Sequence, residues 1–435
     1  MLSKKISWQN PLPFAQKIID NYAIENPDDN FVFLYSGLNE VVKNSITYLA
    51  IFSKEKLITD DFFYAHKIIK NSAQKWFGYF SYELASQFEN ISPTLQSHIQ
   101  SHKIHLEQFH LIFEFNHSKK IITANFDDPK YFDLVIAYRQ KKVKKKPVKI
   151  EKITSNFSDK SYLDSIEKIR KKIAEGQLFQ LNLTRKFYGE FTNKIDLTLA
   201  FELFKKHYHY SKINYSSLLK FGDLITVSAS PELFFKVKNN KIISCPIKGT
   251  ANRSHIKKID NQNKKNLKNS SKERGENLMI VDLVRSDLSR FCKVGSVMVK
   301  KLFAITSYKN IHHMSSQIEG KLPQNFDAID CIPALFPPGS MTGAPKIMAM
   351  NLIAEIEKTN RGIYSGAIGI IDGKNNLNFA VVIRTLIINK NKFELQFGGG
   401  ITYDSNPQFE LAEVYNKANS WFKVLGIKCE SKNSL

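Results

Sequence analysis

Residues 393–402 read FELQFGGGIT, an apolar run that leads directly into three glycines. The run predicts a β-strand. Three glycines after a strand let the backbone approach a ligand closely and point N–H groups at an anion. A flexible turn explains a glycine run equally well. The segment therefore predicts a strand and leaves open whether a ligand binds at its end.

Other strand and helix patterns are interspersed on both sides of this segment. Because they do not alternate strictly, the sequence predicts a mixed α+β architecture with much antiparallel sheet and several helices. Residues 254–272, dominated by Lys, Asn and Ser, predict a mobile surface loop. The strand runs lie at residues 31–35, 111–115, 224–228 and 368–371, and helical patterns at 15–22 and 158–176.

The lysine-rich run at residues 141–149 is the best candidate connector in the chain. No signal peptide and no apolar run long enough to span a bilayer is found, so we expect a cytoplasmic protein without a membrane contact. Four cysteines without a CxxC pair favour reduced thiols over a disulfide framework or a zinc site. The predicted division is an N-terminal subdomain (1–140), a basic connector (141–157), a larger C-terminal domain (158–427) and a tail (428–435).

The chain of 435 residues carries 63 Lys and Arg against 41 Asp and Glu, a formal net charge of +22. Such an excess favours anionic partners, whether nucleic acid, a membrane surface or a small polyanionic substrate. Most lysines are scattered, and the run at 141–149 has no interleaved aromatic residues that would stack bases. A basic nucleic-acid-binding protein is therefore kept only as a remote alternative.

Two predicted helices each present a pair of glutamates. Residues 270–273 (SSKE) have the form of a capping box, and residues 406–407 (NP) supply an N-cap and a first-turn proline. The two glutamates of each helix are three residues apart and share a face, so four carboxylates could meet one hard cation such as Mg²⁺. Acidic residues at helix N-termini are also favoured by the helix dipole without any metal. The four are Glu273, Glu276, Glu410 and Glu413.

Several single residues also suggest chemistry. Residues 336–346 (FPPGSMTGAPK) gather hydroxyls and a lysine at a rigid turn, without the spacing of a P-loop. Arg384 interrupts an apolar strand and needs a carboxylate partner from protein or ligand. His313 is either an acid/base group or a polar strand position. Lys248, in the turn-like segment 246–250 (PIKGT), becomes a nucleophile if partial desolvation removes its proton, although most lysines have no such role.

Taken together, these segments resemble the chorismate-utilising enzymes, which include anthranilate synthase component I, aminodeoxychorismate synthase component I, isochorismate synthase and salicylate synthase. The resemblance covers residues 160–425 nearly without a gap and extends weakly to residues 78–83 (GYFSYE). It implies a chorismate-binding fold with large, mostly antiparallel sheets packed face to face and helices outside. Residues 158–427 would then be the catalytic domain.

The resemblance also implies roles for individual positions. Glu276 and Glu413 are expected to bind Mg²⁺ directly, with Glu273 and Glu410 supporting them. Glu232 matches the acid that protonates the departing C4 hydroxyl, and His313 matches the family's active-site histidine. The implied substrate contacts are Gly398, Gly399 and Gly400 at the ring carboxylate, Arg384 and Tyr364 at the enolpyruvyl side, and Thr250, Ser340, Thr342 and Lys417.

Two positions indicate the branch of the family. Gln180 stands at the position where the water-adding members of the resembling family have a lysine that acts as a base. Because an amide cannot deprotonate water, the resemblance disfavours that branch. Lys248 stands where anthranilate synthases usually have Ala, and in the aminodeoxychorismate branch that lysine attacks C2 of the ring. The expected reaction is Mg²⁺-dependent amination of chorismate at C4 to give 4-amino-4-deoxychorismate, a precursor of 4-aminobenzoate and folate.

The cysteines lack the context of a glutamine amidotransferase nucleophile, so ammonia is expected from a separate amidotransferase subunit. Anthranilate synthase component I is the first alternative. The remote alternative is a basic nucleic-acid-binding protein or an inactive relative of the family.

Overall fold

The computed structural model describes residues 1–36, 45–91, 97–139, 141 and 147–427. Among these residues, no helix is long and apolar enough to cross a membrane. The α-helices are α1 (Pro11–Glu25), α2 (Phe62–Lys70), α3 (Pro129–Ala137), α4 (Asp159–Ala174), α5 (Leu197–Ser211), α6 (Lys257–Asn269), α7 (Ser271–Ser289), α8 (Cys331–Leu335), α9 (Lys346–Glu357) and α10 (Pro407–Leu425), with short 3₁₀ turns at Tyr82–Gln87, Ala328–Asp330 and Gly339–Met341.

The strands are antiparallel to their neighbours and join into one network of 20 strands. They are β1 (Leu2–Ser7), β2 (Phe31–Tyr35), β3 (Ile46–Thr59), β4 (Trp76–Phe80), β5 (Ile104–Asn116), β6 (Ile121–Phe126), β7 (Ile150–Ser155), β8 (Gln180–Phe191), β9 (Tyr215–Phe221), β10 (Leu224–Ser230), β11 (Leu233–Lys238), β12 (Lys241–Cys245), β13 (Ile247–Asn252), β14 (Met298–Ser307), β15 (Ile311–Lys321), β16 (Gly343–Ala344), β17 (Ala367–Asp372), β18 (Asn376–Val381), β19 (Thr385–Asn389) and β20 (Lys392–Ile401). The mixed α+β class, built on a large antiparallel sheet with helices, is confirmed.

Two arms of sheet leave the central pair β3–β5. One arm runs through β2, β9, β10, β19 and β20 to β8. The other runs through β4, β17, β18, β11 and β12 to β15 and β13. Strands from residues 1–140 therefore pair directly with strands of the C-terminal part. The far ends of the arms carry the three glycines on β20, Lys248 and Thr250 on β13, and His313 on β15.

Two buried apolar clusters fill the space between sheet and helices. One cluster contains the buried face of α10, and the other contains the buried face of α7. Both helices begin as the sequence predicts. Ser270 Oγ accepts a hydrogen bond from Glu273 N at 3.3 Å, and Asn406 caps α10 with Pro407 in its first turn. The predicted pairs of glutamates thus lie in the first turns of two helices that belong to different cores.

Two expectations are corrected. Residues 254–272, predicted as a mobile loop, contain α6, which has a single buried apolar residue, Leu267. Asp260 of α6 pairs with Arg253 Nε at 2.8 Å and lies 3.1 Å from His312 Nε2 of β15, and no periodicity reveals this second, tertiary contact. The three glycines do not follow a strand, because they lie inside β20 and pair with β8.

The expected domain boundaries stay a prediction. Part of the predicted connector forms β7, which pairs with β8. Residues 142–146 of the connector and the predicted tail lie outside the described residues.

Candidate active site

A cavity of about 600 Å³ lies where the ends of the two arms meet α7 and α10. Its walls include 15 of the 16 residues that the sequence predicted for the site. Thr342 is the exception, since it is buried behind the wall and its hydroxyl donates to Gly339 O at 3.2 Å. The predicted residues on the wall are Glu232, Lys248, Thr250, Glu273, Glu276, His313, Ser340, Tyr364, Arg384, Gly398, Gly399, Gly400, Glu410, Glu413 and Lys417.

Lys248 is directed into the cavity by a bulge in the ladder between β13 and β15. The pairing register is regular at Ile247 and again at Thr250, and it shifts between them. Gly249 has a φ of +92°, a conformation that a side chain disfavours. Bulges re-aim side chains next to active sites. Among the described residues, Lys248 Nζ has neither a hydrogen bond nor a salt bridge, so its amine is available to a ligand.

The glycine run brings polar side chains close to this amine. A Cβ on Gly400 would lie 2.1 Å from Gln180 Nε2 and 2.7 Å from Lys248 Nζ. Both side chains therefore occupy the space above Gly400 that any other residue would fill. On Gly399 a Cβ would stand 3.2 Å from Glu410 Oε2. The three glycines therefore let neighbouring side chains pack closely against the backbone of β20. They do not form a flexible turn.

Glu232 is a buried carboxyl on the same cavity wall. Ser340 Oγ donates to Glu232 Oε1 at 2.6 Å. Burial raises the pKa of Glu232 to about 7, while the hydrogen bond from Ser340 and the charges of Lys248 and Arg384 lower it in part. A carboxyl with a pKa near neutrality can hold a proton and release it at physiological pH. Glu232 is thus suited to act as a general acid.

His313 and Arg384 form a second polar group. His313 Nδ1 lies 3.2 Å from Thr250 Oγ1, and its Nε2 lies 3.4 Å from Arg384 Nη2. Burial and the charge of Arg384 hold the pKa of His313 well below its usual range, so the imidazole is neutral. Burial also lowers the pKa of Arg384 to about 10, which leaves the guanidinium charged at neutral pH.

The backbone at Arg384 is strained. Its φ is +52°, in the left-handed region that residues with a side chain rarely adopt. Trp421 Nε1 of α10 donates to Arg384 O at 2.8 Å and holds this conformation. Such outliers cluster at functional sites, where surrounding contacts maintain them. The strain places the guanidinium of Arg384 where an anion in the cavity can reach it.

The four glutamates lie where α7 and α10 meet at the cavity. Burial, with the negative charges of Glu276 and Glu413, raises the pKa of Glu273 to about 6. Burial and the charge of Glu413 likewise raise the pKa of Glu410. This mutual repulsion is the condition that a hard divalent cation relieves, and carboxylates are the ligands that Mg²⁺ prefers. The chemistry of these four donors suits such an ion.

Lysine ammonium groups stand among these carboxylates. Lys272 Nζ lies 3.5 Å from Glu410 Oε1 and 3.9 Å from Glu276 Oε1. Lys417 Nζ lies 2.6 Å from Glu413 Oε1 and donates to Gly398 O at 2.7 Å. In the described part of the chain, no three His, Cys, Asp or Glu side chains converge tightly enough to enclose a metal. The lysines instead neutralise the carboxylates.

The sequence did not identify every residue of the wall. Lys272 precedes Glu273 and stands four residues before Glu276, so its spacing was a visible signal. Asn182 and Gln396 also line the cavity, and within the described residues their buried atoms Asn182 Nδ2 and Gln396 Oε1 have no hydrogen-bond partner. Buried polar atoms are normally paired. Asn182 resembles the aminodeoxychorismate branch at its position, whereas nothing in the local sequence indicated Gln396.

Comparison with known proteins points in the same direction. A family model described as chorismate binding enzyme matches residues 30–423. Anthranilate synthase component 1 of Aquifex aeolicus is 34% identical over 267 residues, which cover 61% of this chain and 53% of that protein. Aminodeoxychorismate synthase component 1 of Salmonella typhimurium is 32% identical over 349 residues, which cover 79% and 74%. The aligned part therefore spans little more than half of the Aquifex protein.

Solved structures share the fold. The crystal structure of anthranilate synthase component I from Streptococcus pneumoniae TIGR4 superposes with a TM-score of 0.72 at 24% sequence identity. The superposition covers 97% of this chain and 92% of the other. At this identity the likeness concerns the fold alone, and it agrees with the antiparallel α+β architecture described above.

Proposed function

Because this chain belongs to the family of chorismate binding enzymes, we propose that it aminates chorismate at C4 to form 4-amino-4-deoxychorismate. The observation that carries the proposal is Lys248, whose unpaired amine is held by a bulge in the same cavity as the proton-bearing Glu232. A nucleophilic lysine beside an acid can divide one difficult displacement into two easier ones.

The residues suggest the following sequence of steps. The neutral amine of Lys248 forms a bond to C2 of the ring, the two ring double bonds shift, and the C4–O bond breaks. Glu232 gives its proton to the departing oxygen, which leaves as water. Ammonia then bonds to C4, the double bonds shift back, and the C2–N bond to Lys248 breaks. The proton that the new amine loses is taken up by the leaving lysine nitrogen.

The other residues of the wall bind and orient the substrate. Arg384 supplies a fixed positive charge for the enolpyruvyl carboxylate, with Tyr364 beside it. Mg²⁺, held by Glu276 and Glu413 with Glu273 and Glu410 beside them, would supply positive charge for the ring carboxylate. The cavity would thereby neutralise both anionic groups of chorismate and fix the ring between Lys248 and Glu232.

The source of ammonia is a separate glutamine amidotransferase subunit in the cytoplasm under this proposal. Both sets of relatives carry the name component 1, which supports a second subunit. The product would feed 4-aminobenzoate and folate synthesis. Anthranilate synthase component I is the second candidate, since relatives with that name are equally similar, at 34–36% identity.

Product identification distinguishes the two candidates. Purified chain, chorismate, Mg²⁺ and ammonium should yield 4-amino-4-deoxychorismate by chromatography and mass spectrometry, without pyruvate. Anthranilate together with an equal amount of pyruvate would instead establish the second candidate.

Ser340→Ala should move the pH dependence of turnover. Glu232 acts in its protonated form, so kcat falls as pH rises through its pKa of about 7. The Ser340 hydroxyl stabilises the charged carboxylate, so its removal raises that pKa and keeps Glu232 protonated to higher pH. We expect the alkaline limb of the kcat profile to shift upward, measured from about pH 6 to 9. A limb that stays in place, or moves downward, would contradict the assignment of Glu232.

A further inference from the structure

Arg361 is a fully buried arginine that does not reach the cavity. Its side chain is 1% exposed, and Glu357 binds it in a bidentate pair, with 3.0 Å from Nε to Oε2 and 2.6 Å from Nη2 to Oε1. The guanidinium also lies 4.9 Å from the ring centre of Tyr82. Removing both charged groups from water costs free energy that offsets much of their mutual attraction. A buried ion pair is therefore weak evidence that its role is stability alone.

The remaining donors of Arg361 connect separate walls of the cavity. Nη1 donates to Met341 O at 2.6 Å, and Nη2 donates to Asn182 O at 2.8 Å. Nη1 is also 3.3 Å from Ser365 Oγ, next to Tyr364. Met341, Asn182 and Tyr364 all line the cavity, and they come from the 3₁₀ turn Gly339–Met341, from β8 and from the segment before β17. One planar group therefore sets the spacing of three chain segments.

Glu357 and Glu83 connect Arg361 to two further parts of the chain. Glu357 Oε1 accepts hydrogen bonds from Thr184 N at 2.9 Å and from Thr184 Oγ1 at 2.7 Å. Glu83 Oε1 accepts from Arg361 N at 2.8 Å. The guanidinium is thus held by Glu357, which β8 binds in turn, and the backbone of Arg361 is held by a carboxylate from the N-terminal part of the chain.

We propose that Arg361, held by Glu357, is a positioning residue that keeps the cavity walls of Asn182, Met341 and Tyr364 at the spacing the reaction requires. The inference rests on the proposed function for the identity of the reaction. Ser340, which donates to Glu232, precedes Met341 directly, so a displaced 3₁₀ turn also displaces the acid. Among the described residues, neither Arg361 nor Glu357 lines the cavity, and both act through the backbone of residues that do.

Arg361→Lys tests this role. Lysine keeps the buried charge beside Glu357 but cannot donate to Met341 O and Asn182 O together. We expect kcat to fall about 30- to 100-fold, because a misplacement of about 1 Å can cost about 100-fold in rate. KM for chorismate should stay within about threefold, because Arg384 and the four glutamates are held by other contacts. Hydrogen–deuterium exchange should quicken in the peptides that contain residues 180–184 and 339–343.

Arg185→Lys is the matched control. Arg185 lies on β8, the strand that also carries Asn182. It is 6% exposed and pairs with Asp159 at 2.5 Å, but it is not among the described residues that line the cavity. Its kcat and exchange at residues 339–343 should match those of the wild type. Equal losses in both variants, or an unchanged kcat and unchanged exchange in Arg361→Lys, would overturn the proposal.

Thr184→Val covers the case in which Arg361→Lys does not fold. It removes the Thr184 hydroxyl, which donates to Glu357 Oε1 at 2.7 Å and accepts from Gln396 Nε2 at 2.6 Å, and it leaves the guanidinium in place. Gln396→Leu removes the second of these contacts alone and is the matched control. For Thr184→Val we expect a fall in kcat of about 3- to 10-fold, and wild-type turnover would overturn the role of the pair. The product of the wild-type chain decides the proposed function separately. The hydrogen–deuterium exchange measurement does not depend on which product forms. Failure of the positioning role can therefore be distinguished from failure of the proposed function.

Discussion

Replacing Lys248 by alanine should lower the formation of 4-amino-4-deoxychorismate by about 1,000-fold or more, because the substitution removes the nucleophile itself. The bulge and Gly249 keep the backbone in place without the lysine side chain. Anthranilate synthases usually have Ala at the resembling position, so the fold should accept the change. Turnover of chorismate with ammonium and Mg²⁺ is the measurement.

Two further variants separate nucleophilicity from charge. Lys248→Arg keeps a positive charge at the bulge but offers no neutral amine, and it should be as inactive as Lys248→Ala. Lys268→Ala removes an exposed lysine of α6 and should retain wild-type turnover. Substantial activity in Lys248→Arg would show that the site needs only the charge of Lys248.

Glu276→Gln should weaken the binding of a divalent cation by about 100-fold or more. The change replaces a buried carboxylate by a neutral amide, and even residues that only support metal ligands cost about 10- to 100-fold when replaced. Titration with Mn²⁺, followed by electron paramagnetic resonance, measures binding without turnover. Activity at a fixed, low Mg²⁺ concentration should fall in parallel and recover partly as Mg²⁺ is raised.

Glu167→Gln is the control for this experiment. Glu167 is an exposed residue of α4 that pairs with Arg170 at 2.9 Å, far along the chain from the four glutamates. Its affinity for Mn²⁺ should equal that of the wild type. If Glu276→Gln binds Mn²⁺ as tightly as Glu167→Gln, the four carboxylates serve another purpose, such as pairing with Lys272 and Lys417.

Local rules predicted the elements whose signals are local. The cap at Ser270 and the N-cap and proline at 406–407 correctly placed the starts of α7 and α10, which carry the four glutamates. Helix α6 was missed because Lys and Asn dominate its sequence and only Leu267 is buried. Asp260 of this helix contacts His312 of β15, and such a contact between separate segments leaves no local signal.

The site shows the same limit. Fifteen of the sixteen residues that the resemblance implied lie on the wall, but the resemblance did not explain why each residue is there. The shift in register that aims Lys248 into the cavity depends on how β13 pairs with a strand some 60 residues later. The three glycines could be assigned to a turn or a strand from the sequence, and only the packing of Gln180 and Lys248 over Gly400 decides between them. Pairing partners and close approaches are tertiary facts.

The most direct test of the central claim is the mass of the intact protein during turnover. Purified chain mixed with chorismate and Mg²⁺ in the absence of ammonium, and quenched at early times, should gain the mass of chorismate less one water. Peptide mapping should place the adduct on Lys248, and addition of ammonium should discharge it as 4-amino-4-deoxychorismate. Formation of that product while Lys248 stays unmodified at every time point would contradict the covalent route.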